Sequence, residues 1–223
     1  GEARAEGKRP ERLPLARQLL YAVGQMGWSS LNTVIVLQLV YFYLPPKVGE
    51  DGETTFPIFI VQDECMSIFN VVALLATAGR LWDAVTDPLI ATFSDRLVHP
   101  MGRRIPCLAV GAAPATLFCF LVFVPVVGEE SSWNVVWLAA NLALFYFFLT
   151  VYCTPYFAML PELGRTAEDR LNLSTWQSIA YTLGALLASG APALGGSFGL
   201  DRTGSLQVGI GIVCVFGGMS MYV

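Results

Sequence analysis

Apolar residues dominate six stretches of the chain, at about 19–43, 67–93, 105–127, 133–160, 173–196 and 205–223, and polar residues collect between them. About 20 apolar residues cross ~30 Å of hydrocarbon at ~1.5 Å rise per residue, and each stretch meets or approaches that length. The pattern predicts an all-α membrane protein with six transmembrane helices behind a basic tail, residues 1–18. Gly and Pro recur inside several stretches, where neighbouring helices of a bundle satisfy the backbone groups they free. In the last two stretches small residues cluster, and Gly184 with Ala188 forms a small-xxx-small pair suited to close helix approach.

Composition strengthens the membrane reading. Of 223 residues, 55% are hydrophobic and 13% charged, against roughly 25% charged in an average soluble domain. The net charge of −4 is mild, and no basic patch interleaved with aromatics marks a nucleic-acid partner. The five cysteines show no metal-binding spacing, and four lie in apolar runs as small hydrophobes, so no disulfide framework is expected. The start, "GEARAEGKRPERLPLARQ", has no short apolar core before a small-residue cleavage site, so no signal peptide is expected. The chain reaches Val223 with no polar residue after the sixth stretch, as one part of a larger protein would.

Charge alternates along the connections. The tail and the 94–104 and 161–172 loops carry ten basic residues, whereas the opposite loops carry only Lys47 and Arg202 beside Glu50, Asp51, Glu53, Asp63 and Glu64. This asymmetry places the tail and the even-numbered loops in the cytoplasm.

One stretch, "GRLWDAVTDPLIATFSDR" (79–96), sets charges inside an apolar span. Asp83 and Asp87 are four residues apart and share a helix face, with Arg80 a turn earlier on nearly the same face. Phe93 ends the span ten residues after Asp83, which puts that carboxylate ~15 Å from the cytoplasmic end, near the midplane. A charge there costs about 2.5–3.5 kcal/mol on insertion scales, so such groups face a cavity and pair. Arg80 is expected as the charge partner of one aspartate, leaving the other for Na⁺, a proton or a cationic substrate group. Pro88 removes the donor that would reach the Ala84 carbonyl, and Thr86 adds a hydroxyl. Such hard oxygen ligands suit an alkali cation rather than a transition metal. An Arg–Asp clamp that only locks helix packing is the structural alternative. Catalysis is not expected, since the chain offers no nucleophile or metal cluster and its one histidine, His99, sits in a loop.

The loop "SDRLVHPMGRRIP" holds a second charged group, Asp95, Arg96, Arg103 and Arg104, hinged by Pro100 and Gly102. An acid at the end of a span facing two arginines reads as a cytoplasmic gate, a latch that opens and closes with conformation.

These residues, together with "TPYFAMLPEL" ahead of the polar "EDR" loop, resemble the melibiose-carrier branch of the major facilitator superfamily, the glycoside–pentoside–hexuronide:cation symporters. The animal sodium-dependent lysophospholipid symporters share the pattern. The resemblance runs from about Tyr21 to Gly184, and its most specific element is D-x-x-x-D-P in the second span followed by G-R-R-x-P. It implies a twelve-helix transporter of two halves with its site between them, of which this chain matches the N-terminal six-helix half. It further implies a cation site at Asp83, Asp87, Thr86 and Thr150, with coupling to Na⁺ or H⁺, no cofactor, and no metal beyond that ion. The implied partners are a small-molecule solute, the lipid bilayer and a C-terminal six-helix half.

The chain departs from the sugar-binding members at three places. Ser29 stands where they carry an acid in the first span, Cys153 stands two residues before the fourth-span proline, and Trp176 replaces a fifth-span arginine. Trp28, Tyr152, Tyr156, Phe157 and Trp176 are then aromatic candidates to line the substrate path, by stacking on a sugar or by passing a more apolar solute. The expected function is a cation-coupled secondary transporter moving a small organic solute such as a sugar or glycoside by alternating access. The alternatives are a symporter of a lipid-like or amphiphilic solute and a truncated, non-transporting membrane interaction protein.

Overall fold

The computed structural model describes residues 13–48, 53–60, 64, 65 and 69–223. The tail residues Arg4, Lys8, Arg9 and Arg12, and the loop acids Glu50, Asp51 and Asp63, lie outside these. Among the described residues the chain forms seven helices: α1 (Leu15–Tyr43), α2 (Val71–Arg96), α3 (Ile105–Leu121), α4 (Ser132–Leu163), α5 (Ala167–Ser189), α6 (Ala191–Gly196) and α7 (Arg202–Ser220). Two-residue antiparallel hairpins, Lys47–Val48 with Glu53–Thr54 and Glu64–Cys65 with Phe69–Asn70, interrupt the α1–α2 connection.

Helix ends follow local chemistry. The Ser131 hydroxyl accepts from the Trp133 amide at the start of α4, and the Thr166 hydroxyl accepts from the Asp169 amide at the start of α5. The third span is shorter than the sequence pattern predicts, ending at Leu121 ahead of Pro125. The fifth is divided at Gly190, where Pro192 sits in the first turn of a separate short helix. Between α2 and α3 the chain turns through Gly102 at φ 94°, a left-handed conformation that favours glycine.

Two of the helices, α4 and α7, are long and apolar enough to cross a membrane by length and composition. The other four predicted spans fall short for identifiable reasons. Helix α3 has 17 residues. Polar residues interrupt α1 (Gln18, Gln25, Asn32, Gln38), α2 (Arg80, Asp83, Asp87) and α5 (Gln177, Ser178, Thr182).

The principal helix pairs are α1 with α5 and α7, α4 with α2 and α3, and α3 with α7. Exchanging α1 with α4, α2 with α5, and α3 with α7 maps this set of pairs onto itself. The six long helices therefore divide into two three-helix units with matching neighbour relations, as internal repeats do. The core of large side chains, including Leu31, Phe42, Phe123, Leu138 and Phe145, lies where α1, α3 and α4 converge with the α1–α2 connection. Asn134 ties that connection to α4, its amide donating to the carbonyls of Phe59, Val127 and Glu129. Outside the core, α2 presents Leu81, Val85, Leu89 and Phe93 at four-residue intervals, all exposed. An exposed apolar stripe of this kind suits contact with lipid or another apolar surface.

Candidate functional site

Three helix faces enclose a cavity of about 330 Å³. Helix α1 contributes Trp28 and Asn32, one turn apart. Helix α2 contributes Arg80, Asp83 and Asp87. Helix α4 contributes Tyr146, Leu149, Thr150, Cys153 and Phe157, again along one face. The cavity thus brings together both aspartates, the arginine, Thr150, Cys153 and two of the aromatic candidates.

The polar atoms in it are incompletely partnered. Asp83 Oδ1 is buried without a hydrogen-bond partner among the described residues, as is the Trp28 indole Nε1. An unpaired buried acceptor of this kind costs free energy until something occupies it. Thr150 lies beside the Asp83 carboxylate, and the exposed Asp87 is a further charge close to it. Arg80 forms no ion pair with either aspartate. Its guanidinium carbon stands 5.8 Å from the Tyr146 ring centroid instead, in cation–π contact. Arg80 therefore acts on Asp83 through space within the same cavity, while the Tyr146 ring holds its guanidinium out of ion-pair distance. Two carboxylates, the Thr150 hydroxyl and one displaced guanidinium leave an oxygen-rich site that suits a hard monovalent cation. No group of three or more His, Cys, Asp or Glu side chains among the described residues suits a transition metal.

Thr86 is not part of this lining. It precedes Asp87 by one residue, and the 100° turn per residue carries it onto the buried side of α2. Its hydroxyl donates to the carbonyls of Trp82 at 3.0 Å and Asp83 at 3.4 Å. Ser29 is also outside the cavity, fully buried between α1 and α5, with its hydroxyl donating to the Met26 carbonyl at 3.0 Å. The absence of a side chain at Gly184 lets α5 approach at that point, since a Cβ there would run into Ser29 Oγ and the Met26 carbonyl. Tyr152 and Tyr156 line a different, largely apolar cavity of about 370 Å³ at the end of the bundle where α1 begins, together with Arg17, Leu20, Leu108 and Met159. Trp176 is half-buried on α5 and lines neither cavity.

At the same end of the bundle, Arg104 Nη2 lies 3.3 Å from Asp95 Oδ1 and 3.1 Å from Glu162 Oε1. Arg103 reaches the same Glu162 oxygen at 2.9 Å. The Arg104 side chain is only 12% exposed. Arg96 is exposed and takes part in none of these pairs. The sequence reading names Asp95, Arg103 and Arg104 but misses Glu162, which ties the end of α4 to the α2–α3 loop. It also misses Asn32 and Tyr146 in the cavity. Both carry a spacing signal, four residues after Trp28 and four before Thr150.

A bundle of long helices that keeps charges around an inner cavity and leaves apolar surface outside has the build of a membrane transport protein. The sequence matches the family described as MFS/sugar transport protein over residues 20–217, and the chain belongs to that family. It is accordingly an integral, multi-pass membrane protein of a transporter family, not an enzyme. It is 24% identical over 184 residues to an uncharacterized symporter of Synechocystis sp., covering 80% of this chain and 30% of that protein. It is 24% identical to the sodium-dependent lysophosphatidylcholine symporter 1 of Homo sapiens, covering 82% and 32%. It is 28% identical to a putative 2,3-dihydroxypropane-1-sulfonate exporter of Salmonella typhimurium, covering 80% and 35%. The chain spans about a third of the length of these curated relatives.

Proposed function

We propose that this chain is the N-terminal six-helix half of a cation-coupled secondary transporter of the melibiose-carrier type, which moves a small organic solute by alternating access. The observation that carries the reading is the buried, unpartnered Asp83 Oδ1 in a cavity shared with Asp87 and Thr150. A Na⁺ ion or proton there satisfies an acceptor that the protein leaves unsatisfied. Binding drives transport only if the cation has different affinity for the two conformations, because equal affinity shifts no population. In this reading all six long helices cross the bilayer, and the excess of basic residues puts the N-terminus and the α2–α3 and α4–α5 loops in the cytoplasm. The Arg103–Arg104–Asp95–Glu162 cluster then sits at the cytoplasmic gate. A C-terminal half completes the solute path.

The solute is a sugar or another small polar molecule in the first reading. A lipid-like or amphiphilic solute is supported by the apolar cavity beside Arg17, which offers a greasy wall with a cationic rim. The symporter named for lysophosphatidylcholine among the relatives lends it further weight. Uptake by the full-length protein in proteoliposomes, with a Na⁺ gradient and with a pH gradient, tests the coupling. Asp83→Asn and Asp87→Asn are expected to abolish gradient-driven uptake, and unchanged gradient dependence in both variants defeats the proposal. Competition by sugars against lysolipids separates the two solute classes.

A further inference from the structure

The cavities differ in which helices wall them. The acidic cavity takes its walls from α1, α2 and α4, and a further polar cavity of about 420 Å³ takes them from α1, α4 and α5. Neither receives a described side chain from α3 or α7. In the apolar cavity of about 370 Å³ the case is reversed: Ile105, Leu108 and Ala109 on α3, and Met221 and Tyr222 just past α7, complete the walls that α1 and α4 begin. Away from the cavity α3 and α7 carry exposed apolar residues, Val110 and Leu117 on the one and Ile212, Val215, Phe216 and Met219 on the other. That side of the bundle suits lipid. The cavity opens on it, past the half-exposed rim residues Leu20, Ile105 and Tyr222.

Two polar groups of the lining lack a partner. Arg17 stands exposed in the first turn of α1 and forms no ion pair among the described residues. Tyr152 is 1% exposed, and its hydroxyl lies beside Gly24 in the cavity wall without donating to any described residue. The other tyrosines of the lining are engaged, Tyr21 and Tyr156 with each other's backbone and Tyr222 with the Ala109 carbonyl at 2.9 Å. A buried hydroxyl donor left over in apolar walls is costly until an acceptor reaches it. Gly24 follows Arg17 by two helical turns, about 10 Å along α1 at ~1.5 Å per residue. No described acid lines the cavity. It therefore presents a cation at its mouth, one hydroxyl donor deeper in, and apolar walls around both.

We propose that this cavity holds an acyl chain of an anionic glycerophospholipid from the cytoplasmic leaflet, with the phosphate on Arg17 and an ester carbonyl accepting from the Tyr152 hydroxyl. Phosphate, ester and chain follow one another along such a lipid in the order in which the cavity offers cation, donor and apolar wall. Basic pockets between membrane helices on the cytoplasmic side suit anionic headgroups, and the cavity volume falls in the range of small-ligand sites. A soluble phosphate ester gains the Arg17 contact but fills none of the apolar wall, which supplies most of the free energy of burial. The lipid is a resident of the bundle rather than its cargo, since α3 and α7 contribute to its site and to neither polar cavity. From the transporter reading the proposal takes only the orientation in the membrane.

The test reads binding without a solute or a gradient, so its failure is separate from failure of the coupling reading. Full-length protein in detergent is titrated with phosphatidylglycerol, phosphatidylcholine and glycerol phosphate and read by native mass spectrometry. Wild type is expected to bind one phosphatidylglycerol in preference to phosphatidylcholine, and glycerol phosphate is expected not to compete. Arg17→Gln is expected to weaken phosphatidylglycerol binding about tenfold or more, the scale of a hydrogen bond to a charged group, and Tyr152→Phe about threefold. Ala109→Phe fills the cavity, leaves Arg17 in place and is expected to abolish the site, with thermal unfolding as the check that the variant is folded. Equal binding by wild type and Ala109→Phe overturns the proposal, as does equal binding by wild type and Arg17→Gln. Competition by glycerol phosphate overturns the role of the apolar walls. Net movement of phosphatidylglycerol across proteoliposome membranes by wild type makes the lipid a cargo and overturns its resident role.

Discussion

Tyr21 and Tyr156 hydrogen-bond to each other's backbone: the Tyr21 hydroxyl donates to the Tyr156 carbonyl at 2.9 Å, and the Tyr156 hydroxyl donates to the Tyr21 carbonyl at 2.6 Å. Their rings stack with centroids 4.5 Å apart. Helices α1 and α4 belong to different three-helix units, and this reciprocal clasp joins them. Tyr21→Phe and Tyr156→Phe each keep the ring and leave a carbonyl short of one donor. Each is expected to lower stability by about 1 kcal/mol. The double variant is expected to fall short of the sum, because the two bonds hold one geometry. Thermal unfolding of the purified full-length protein in detergent reads all three.

Glu162 Oε1 accepts a hydrogen bond from Arg103 and forms an ion pair with Arg104, whereas Asp95 serves Arg104 alone. Glu162→Gln is therefore expected to destabilise this end of the bundle more than Asp95→Asn. Both effects are expected to stay near or below ~1 kcal/mol, since the acids are about half exposed and such pairs are weak in water. The difference between them is expected to shrink in 1 M salt, where the Debye length is about 3 Å. Unfolding curves of the two variants at low and high ionic strength make the comparison.

What the sequence reveals and what it hides follow from the range of the interactions. The i, i+3, i+7 placement of Arg80, Asp83 and Asp87 is a property of one helix, and the cavity does receive all three. Thr86 is a neighbour of Asp87 in sequence only. Its orientation follows from helical rotation, which by itself turns it away from the face shared by Asp83 and Asp87. The roles of Arg80 and Glu162 are different in kind. Arg80 is drawn aside by Tyr146, and Glu162 is brought to Arg103 across 59 residues of chain. No local spacing encodes either contact. Tyr152 and Tyr156 sit among residues that face the acidic cavity, and only the packing of α4 against α1 and α3 shows that they line another space. The membrane pattern is blurred for a related reason: α1, α2 and α5 supply the polar walls, so their composition departs from that of a lipid-surrounded span.

Tyr146 controls where the positive charge of Arg80 rests. With the ring in place the guanidinium lies over it, and Asp83 Oδ1 stays without a partner. Tyr146→Leu removes the platform and lets Arg80 swing toward the aspartates, where it would compete with the proposed coupling cation. The half-saturating cation concentration for uptake is expected to rise severalfold, consistent with a cation–π contact of about 0.5–2 kcal/mol. Tyr146→Phe keeps the ring and is expected to behave as wild type. Equal effects of the two variants refute the arrangement. Titrating Na⁺ and pH separately at saturating solute identifies which cation is affected.

Gly184 marks a close approach between α5 and α1. A Cβ at this position meets Ser29 Oγ and the Met26 carbonyl, and it comes within 3.2 Å of the Ser30 amide. Gly184→Ala ordinarily gains helix propensity, but here it forces the two helices apart. Overpacking of this kind costs about 1–3 kcal/mol, which outweighs the propensity gain. Gly196→Ala is the matched control, because a Cβ there meets nothing within 4 Å. Adding Ser29→Ala to Gly184→Ala removes the hydroxyl but not the Met26 carbonyl, so the rescue is expected to be partial. Full rescue would show that Ser29 alone sets the spacing. No loss in Gly184→Ala would show that α1 and α5 can separate freely, and the Gln177–Gln25 hydrogen bond between them would then not be held at a fixed distance.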